Sequence, residues 1–132
     1  MKSRLSIVII SLVVLILSGM HCYLLDGLNG WIIGLIENTD TEYTAHYSDT
    51  KFRAVRKGAS AGEVFELLGP PLRAWFYFNG TWIECPAQSA FDTNMVVSCD
   101  WSFSPSGGNY LQRRILFRKA KVSIKDAMFY ID

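Results

Sequence analysis

Lys57 to Cys85 reads KGASAGEVFELLGPPLRAWFYFNGTWIEC, and two adjacent signals in it set the fold class. The first is a helix with a fixed start and a fixed end. Ser60 followed three residues later by Glu63 is a capping box. Val64, Phe65, Leu67 and Leu68 then share one face at helical spacing. Gly69 is placed to close the helix in a left-handed conformation, and Pro70 and Pro71 prevent its continuation. So short a helix is unstable alone in water and needs a surface to lie on. The second signal supplies that surface. Arg73 to Phe78 and Thr81 to Cys85 flank Asn79-Gly80, a strong two-residue hairpin turn. The turn pairs Phe78 with Thr81, Phe76 with Ile83 and Ala74 with Cys85 on one face. Trp75, Tyr77, Trp82 and Glu84 take the other.

Downstream the alternation continues. Val97, Cys99, Trp101 and Phe103 alternate with Ser98, Asp100, Ser102 and Ser104, the pattern of a half-buried strand. Pro105 to Asn109 is a turn. Leu111, Ile115 and Phe117 mark another strand, and Val122 and Ile124 begin one more. The expected fold is α+β: short helices packed as one layer on an antiparallel sheet of three to five strands.

Upstream, the 21 residues Leu5 to Leu25 contain no Asp, Glu, Lys or Arg, and Lys2 and Arg4 precede them. As a helix this run spans about 32 Å, enough for a bilayer core. The flanking bases predict a cytoplasmic start, with the rest of the chain on the far side. A cleaved secretory signal is the alternative, although Met20, His21 and Cys22 spoil the best cleavage placements. The same residues leave Cys22 without the small neighbours that a lipid-modified cysteine requires. Residues 1–25 are thus expected to be an anchor or uncleaved signal, and 26–49 an interfacial segment and linker. Residues 50–132 form the α+β domain. Within 26–49, Trp31 suits a membrane interface, a first core helix being the alternative. Residues 38–50 read as a linker or extended lead-in.

The chain carries 13 basic and 12 acidic residues. Without Lys2 and Arg4 it is nearly neutral, so no nucleic-acid partner is expected. Cys85 and Cys99 lie in the part assigned to the exported side, where a disulfide between them would persist. Two free buried thiols are the alternative. There is no C-x-x-C and no metal-ligand cluster, phosphate loop or G-x-S-x-G. His46 has no fixed partner and reads as a surface residue; His21 reads as interfacial. No metal, cofactor or catalytic residue is assigned, and the chain is not expected to be an enzyme.

Two surface features remain. Trp75, Tyr77 and Trp82 form an aromatic face, either a partner-binding surface or a second small core beneath residues 86–95. Arg113, Arg114, Arg118, Lys119, Lys121 and Lys125 form a basic run. It suits anionic headgroups, or else charges that protect an edge strand from pairing.

Gly58, the capped helix ending in Leu67-Leu68-Gly69-Pro70-Pro71, Trp101-Ser102-Phe103, Arg114-Ile115-Leu116-Phe117 and Lys121-Val122 together resemble the SmpA/OmlA (BamE-like) family of small envelope proteins. The resemblance covers roughly residues 50–124. It implies two helices on a three-stranded antiparallel sheet, tethered to a membrane. It also implies a non-catalytic role: binding an envelope protein, as accessory lipoproteins of outer-membrane β-barrel assembly do. The implied location is the bacterial inner membrane with the C-terminal domain in the periplasm; the outer membrane or secretion are the alternatives. Three departures stand out: Ala59 replaces the usual Met, no lipoprotein signal ends at Cys22, and residues 72–100 are longer than the pattern. Similar small domains occur in secreted β-lactamase inhibitors, so a released inhibitor-like binder is the alternative function.

Overall fold

Along the chain of this computed structural model, α1 spans Lys2–Tyr23, α2 Gly27–Ile36, β1 Glu42–Tyr43, α3 Asp49–Ala54 and α4 Ala61–Leu68. Strands β2 (Arg73–Phe78), β3 (Thr81–Cys85), β4 (Val96–Asp100), β5 (Ser102–Phe103), β6 (Tyr110–Arg118) and β7 (Lys121–Tyr130) follow. The structure describes residues 2–37, 39–85 and 95–130. The loop expected over a second core, 86–95, lies almost wholly outside the described residues.

Five strands form one antiparallel sheet in the order β3-β2-β4-β6-β7. The expected hairpin register is the observed one: Ala74 opposes Cys85, Phe76 opposes Ile83 and Phe78 opposes Thr81. Asn79 and Gly80 both take positive φ, as that turn demands. A second two-residue turn joins β6 to β7 through Lys119 and Ala120, at φ 51° and 54°. Neither residue advertises a turn, so the strand pairing on either side fixes it.

The capped helix is as expected at its start. Ser60 Oγ accepts from Glu63 N–H, and the Glu63 carboxylate accepts from Ser60 N–H at 2.7 Å. Its end differs from expectation. Gly69 has φ 76° and ψ 179°, an extended conformation open to glycine alone rather than a left-handed helical one. This turn aims the Gly69 carbonyl at the core, where it accepts from Trp101 Nε1 at 2.9 Å. A Cβ at Gly69 would lie 3.1 Å from that of His46.

The helices cover one face of the sheet. Phe52 and Val55 from the α3 region, with Ala61, Val64 and Leu68 from α4, bury against Ala74, Val97, Cys99, Ile115, Phe117 and Val122. Trp101 fills the middle, and Phe65 packs against both Trp101 and Phe117. A fully buried aromatic or aliphatic side chain contributes about 1.5–3 kcal/mol of transfer energy, so this layer holds the helices to the sheet.

One expected strand is interrupted. Between β4 and β5 the chain bends at Trp101, whose N–H donates to the Arg113 carbonyl. Arg113 N–H then donates to Ser102 Oγ rather than to a carbonyl. Ser98, Asp100, Ser102 and Ser104 are buried, not solvated as alternation implied. Beyond the bend, β5 pairs with β1, so part of the expected linker packs on the domain. Residues 40 and 41 are tied to the 104–111 segment as well: Ser106 N–H donates to Asp40, and Leu111 N–H to Thr41 Oγ1.

At the other end, Leu5–Tyr23 of α1 is long and apolar enough to cross a membrane, with a mean hydropathy of 2.5 and none of it buried. Helix α2 touches α1 and the far end of β7.

Candidate functional site

The helices lie on one side of the sheet, so the opposite side carries Trp75, Tyr77 and Trp82. Trp75 is half-buried; Tyr77 and Trp82 are exposed and in contact, with ring centroids 5.3 Å apart. Trp75, Trp82, Ser98, Arg114, Leu116 and Asp126 line an open hollow of about 350 Å³. The three aromatic residues read from the sequence are thus brought together on one face, on the β2–β3 hairpin at one edge of the sheet.

The floor of this hollow is charged and paired. Arg114 donates to both Asp100 oxygens, at 2.7 and 2.9 Å, and its guanidinium lies 5.6 Å from the Trp75 ring centroid. Burial pushes the Asp100 carboxyl above its usual range, and the two Arg114 bonds oppose that shift. The Asp100 bonds lift the Arg114 guanidinium in turn. A planar guanidinium held flat by a bidentate carboxylate makes a rigid floor, and aromatic walls of this kind accept apolar or planar groups.

The basic run does not form a patch. Adjacent strand residues face opposite sides, and the structure divides the run accordingly. Arg113 faces the helix layer and is only 1% exposed. Arg114 faces the aromatic side and is bound to Asp100. Lys125 also points inward: its ammonium donates to the carbonyls of Phe52, Arg53 and Val55, each at 3.0 Å, closing the end of α3. Arg118, Lys119 and Lys121 alone remain exposed, around the β6–β7 turn. The expected headgroup surface therefore loses Arg113 and Arg114 to internal pairs.

The Cys85–Cys99 disulfide is also ruled out by register. Ala74 stands between them, opposite Cys85 on one side and Cys99 on the other. Two strand spacings separate the cysteines by roughly 9–10 Å, beyond the reach of a bridge. Both thiols are free. Cys85 donates to the Ala74 carbonyl and Cys99 is fully buried. Burial pushes the Cys99 thiol well above its ordinary range.

A cluster that no single stretch of sequence signals surrounds Arg113. Its guanidinium donates to both oxygens of Asp26 at 2.6 and 2.7 Å, and its Nε donates to Tyr47 Oη at 3.0 Å. Tyr47 donates to Asp49, and its ring stacks on Tyr43. Desolvation pushes both phenols up; for Arg113 burial acts to lower the guanidinium, and the Asp26 bonds together with the nearby charges of Asp26 and the two tyrosines raise it on balance. The usable signal is that Arg113 shares strand parity with Ile115 and Phe117. One of two consecutive arginines there has to turn inward and find a carboxylate.

Among the described residues no group of His, Cys, Asp and Glu is arranged to hold a metal ion. His46 is exposed, as expected. His21 accepts from Leu28 N–H through Nδ1 at 3.1 Å, bracing the α1–α2 junction. Comparison with family models, curated proteins and solved structures gave no match.

Proposed function

We propose that this chain is a membrane-anchored, non-catalytic binding domain. Its aromatic sheet face captures an apolar segment of another envelope protein. The observation that carries this reading is the hollow walled by Trp75 and Trp82, on a domain joined to an exposed apolar helix. Exposed aromatic clusters mark interaction sites, and Trp, Tyr and Arg are enriched among the residues that carry binding energy. Following the resemblance to SmpA/OmlA proteins, the membrane is the bacterial inner membrane. Lys2 and Arg4 stay in the cytoplasm and the domain faces the periplasm. The partner is then a component of envelope assembly.

The test is site-specific photo-crosslinking from Tyr77 in full-length chain held in membranes. The reading expects a defined envelope-protein adduct that Trp82→Ala removes and Lys57→Ala spares, with circular dichroism unchanged. An adduct insensitive to Trp82→Ala, or none, contradicts it. Unfolding of the Trp82→Ala variant would instead make these rings a second core.

A further inference from the structure

Helix α2 is built inside out for a water-facing element. At about 100° per residue, Trp31, Ile32, Leu35 and Ile36 share one side, and Gly27, Gly30 and Gly34 the other. Part of the glycine side is turned to the protein: Gly27 lies against His21 of α1 and Gly30 against Phe129 of β7, whereas a Cβ at Gly34 would meet nothing. Gly30 is buried, and a Cβ there would meet Asp26 Cβ at 2.6 Å and Phe129 Cβ at 3.6 Å. The bulky side is turned away: Trp31 is 45% exposed, Ile32 41%, Leu35 68% and Ile36 76%. A soluble domain buries its large apolar side chains and exposes polar ones. Here the large apolar groups are outermost.

What covers them follows from the chain. Only Leu24 to Asp26 separate α1 from α2, a reach of about 10 Å. That junction is braced by the His21–Leu28 bond and by the Asp26–Arg113 pair. Helix α2 does not fold back along α1, since every residue from 5 to 19 is exposed. If α1 crosses a bilayer, α2 therefore starts at the bilayer surface and leaves the axis of α1. The one carboxylate at the junction, Asp26, is neutralised by Arg113. Beside it, exposed Tyr23 carries the Arg53 guanidinium 4.8 Å from its ring centroid, an aromatic and a cation of the kind that sit at headgroup level.

We propose that α2 is an in-plane interfacial helix. Trp31, Ile32, Leu35 and Ile36 are immersed in the headgroup–acyl boundary of the bilayer that α1 enters, and the helix meets the sheet through Gly30. Interfacial helices sink about 5–10 Å in this way. The inference rests on the reading of α1 as a membrane anchor. It adds that the domain is docked on lipid in one orientation rather than tethered loosely.

The test uses full-length chain reconstituted in phosphatidylcholine vesicles whose acyl chains carry bromine near either the carbonyl or the methyl end. Trp31 is one of 4 tryptophans. The proposal expects the carbonyl-end bromines to quench roughly a quarter of the emission, and Trp31→Phe to abolish that component. Quenching unchanged by Trp31→Phe overturns the proposal, as does stronger quenching by methyl-end bromines. Rapid disulfide cross-linking between copies of a Leu35→Cys variant also overturns it, since a second copy would then cover the helix. Alkaline extraction of the same vesicles separates the two levels. A chain washed off contradicts the anchor reading itself, whereas a retained chain with unquenched Trp31 contradicts only the docking of α2.

Discussion

Arg113 and Asp26 stand 87 positions apart and meet in a two-bond ion pair at 2.6 and 2.7 Å, with Arg113 1% and Asp26 12% exposed. The pair fastens the end of the apolar helix to the sheet. Removing one partner of a buried pair strands the other, at about 3–5 kcal/mol. Arg113→Ala is expected to lower unfolding free energy by that amount in denaturant titrations of the detergent-solubilised chain. The double change Arg113→Met with Asp26→Asn is expected to cost less than Arg113→Ala alone. Equal stability of Arg113→Ala and wild type would contradict the pair's structural role.

Gly69 makes a second prediction. Its φ of 76° with ψ of 179° lies where only glycine is unstrained. Gly69→Ala is expected to cost about 1–3 kcal/mol. His46→Ala relieves the contact over Gly69 but not the backbone strain, so it should restore only a minor part of the loss. Full rescue by His46→Ala would mean that sterics, not backbone conformation, select glycine.

The cysteines give a third. Native alkylation of the solubilised chain is expected to modify exposed Cys22 fast, Cys85 slowly, and buried Cys99 only after unfolding. Reductant should leave the intact mass unchanged. A gain of about two hydrogens on reduction would restore the Cys85–Cys99 bridge and contradict the strand register.

Acid stability is a fourth. The hydroxyls of Ser104 and Ser106, with the Ser106 N–H, hold Asp40 down from the ordinary 3.8 to about 2. The Ser60 backbone and hydroxyl bonds hold Glu63 below its ordinary 4.5. Both folded pKa values are depressed, so both contributions are present above the unfolded values and are lost as pH falls through the folded ones. The denaturation midpoint is expected to fall between pH 4.5 and about 2, and Asp40→Asn should flatten the lower part of that fall. An unchanged slope in Asp40→Asn would show that this carboxylate is not held by the 104–106 turn.

Much of the fold was legible because its signals are local. The Ser60–Glu63 cap, the Asn79-Gly80 turn and the alternation of β2 and β3 each lie within a few residues, and each stands where the sequence put it. The aromatic face followed from the same alternation. What escaped was non-local. Whether Cys85 can reach Cys99 depends on which strand lies between them, and the period of a strand says nothing of sheet order. The basic run looked like a surface because charge is read along the chain, while Arg113 and Lys125 find their partners 87 and about 70 positions away. The bend at Trp101 depends on Arg113 as well, whose carbonyl accepts from Trp101 N–H and whose N–H donates to Ser102 Oγ.

The claim that organises the account is that α1 stays on the chain and holds the domain at a membrane. The direct measurement is the intact mass of the protein extracted from membranes. A retained α1 anchor predicts the full-length mass, unmodified at Cys22, in the membrane fraction. A mass lacking the first twenty-odd residues would contradict it, because the apolar helix would then be an export signal and the domain a released binder.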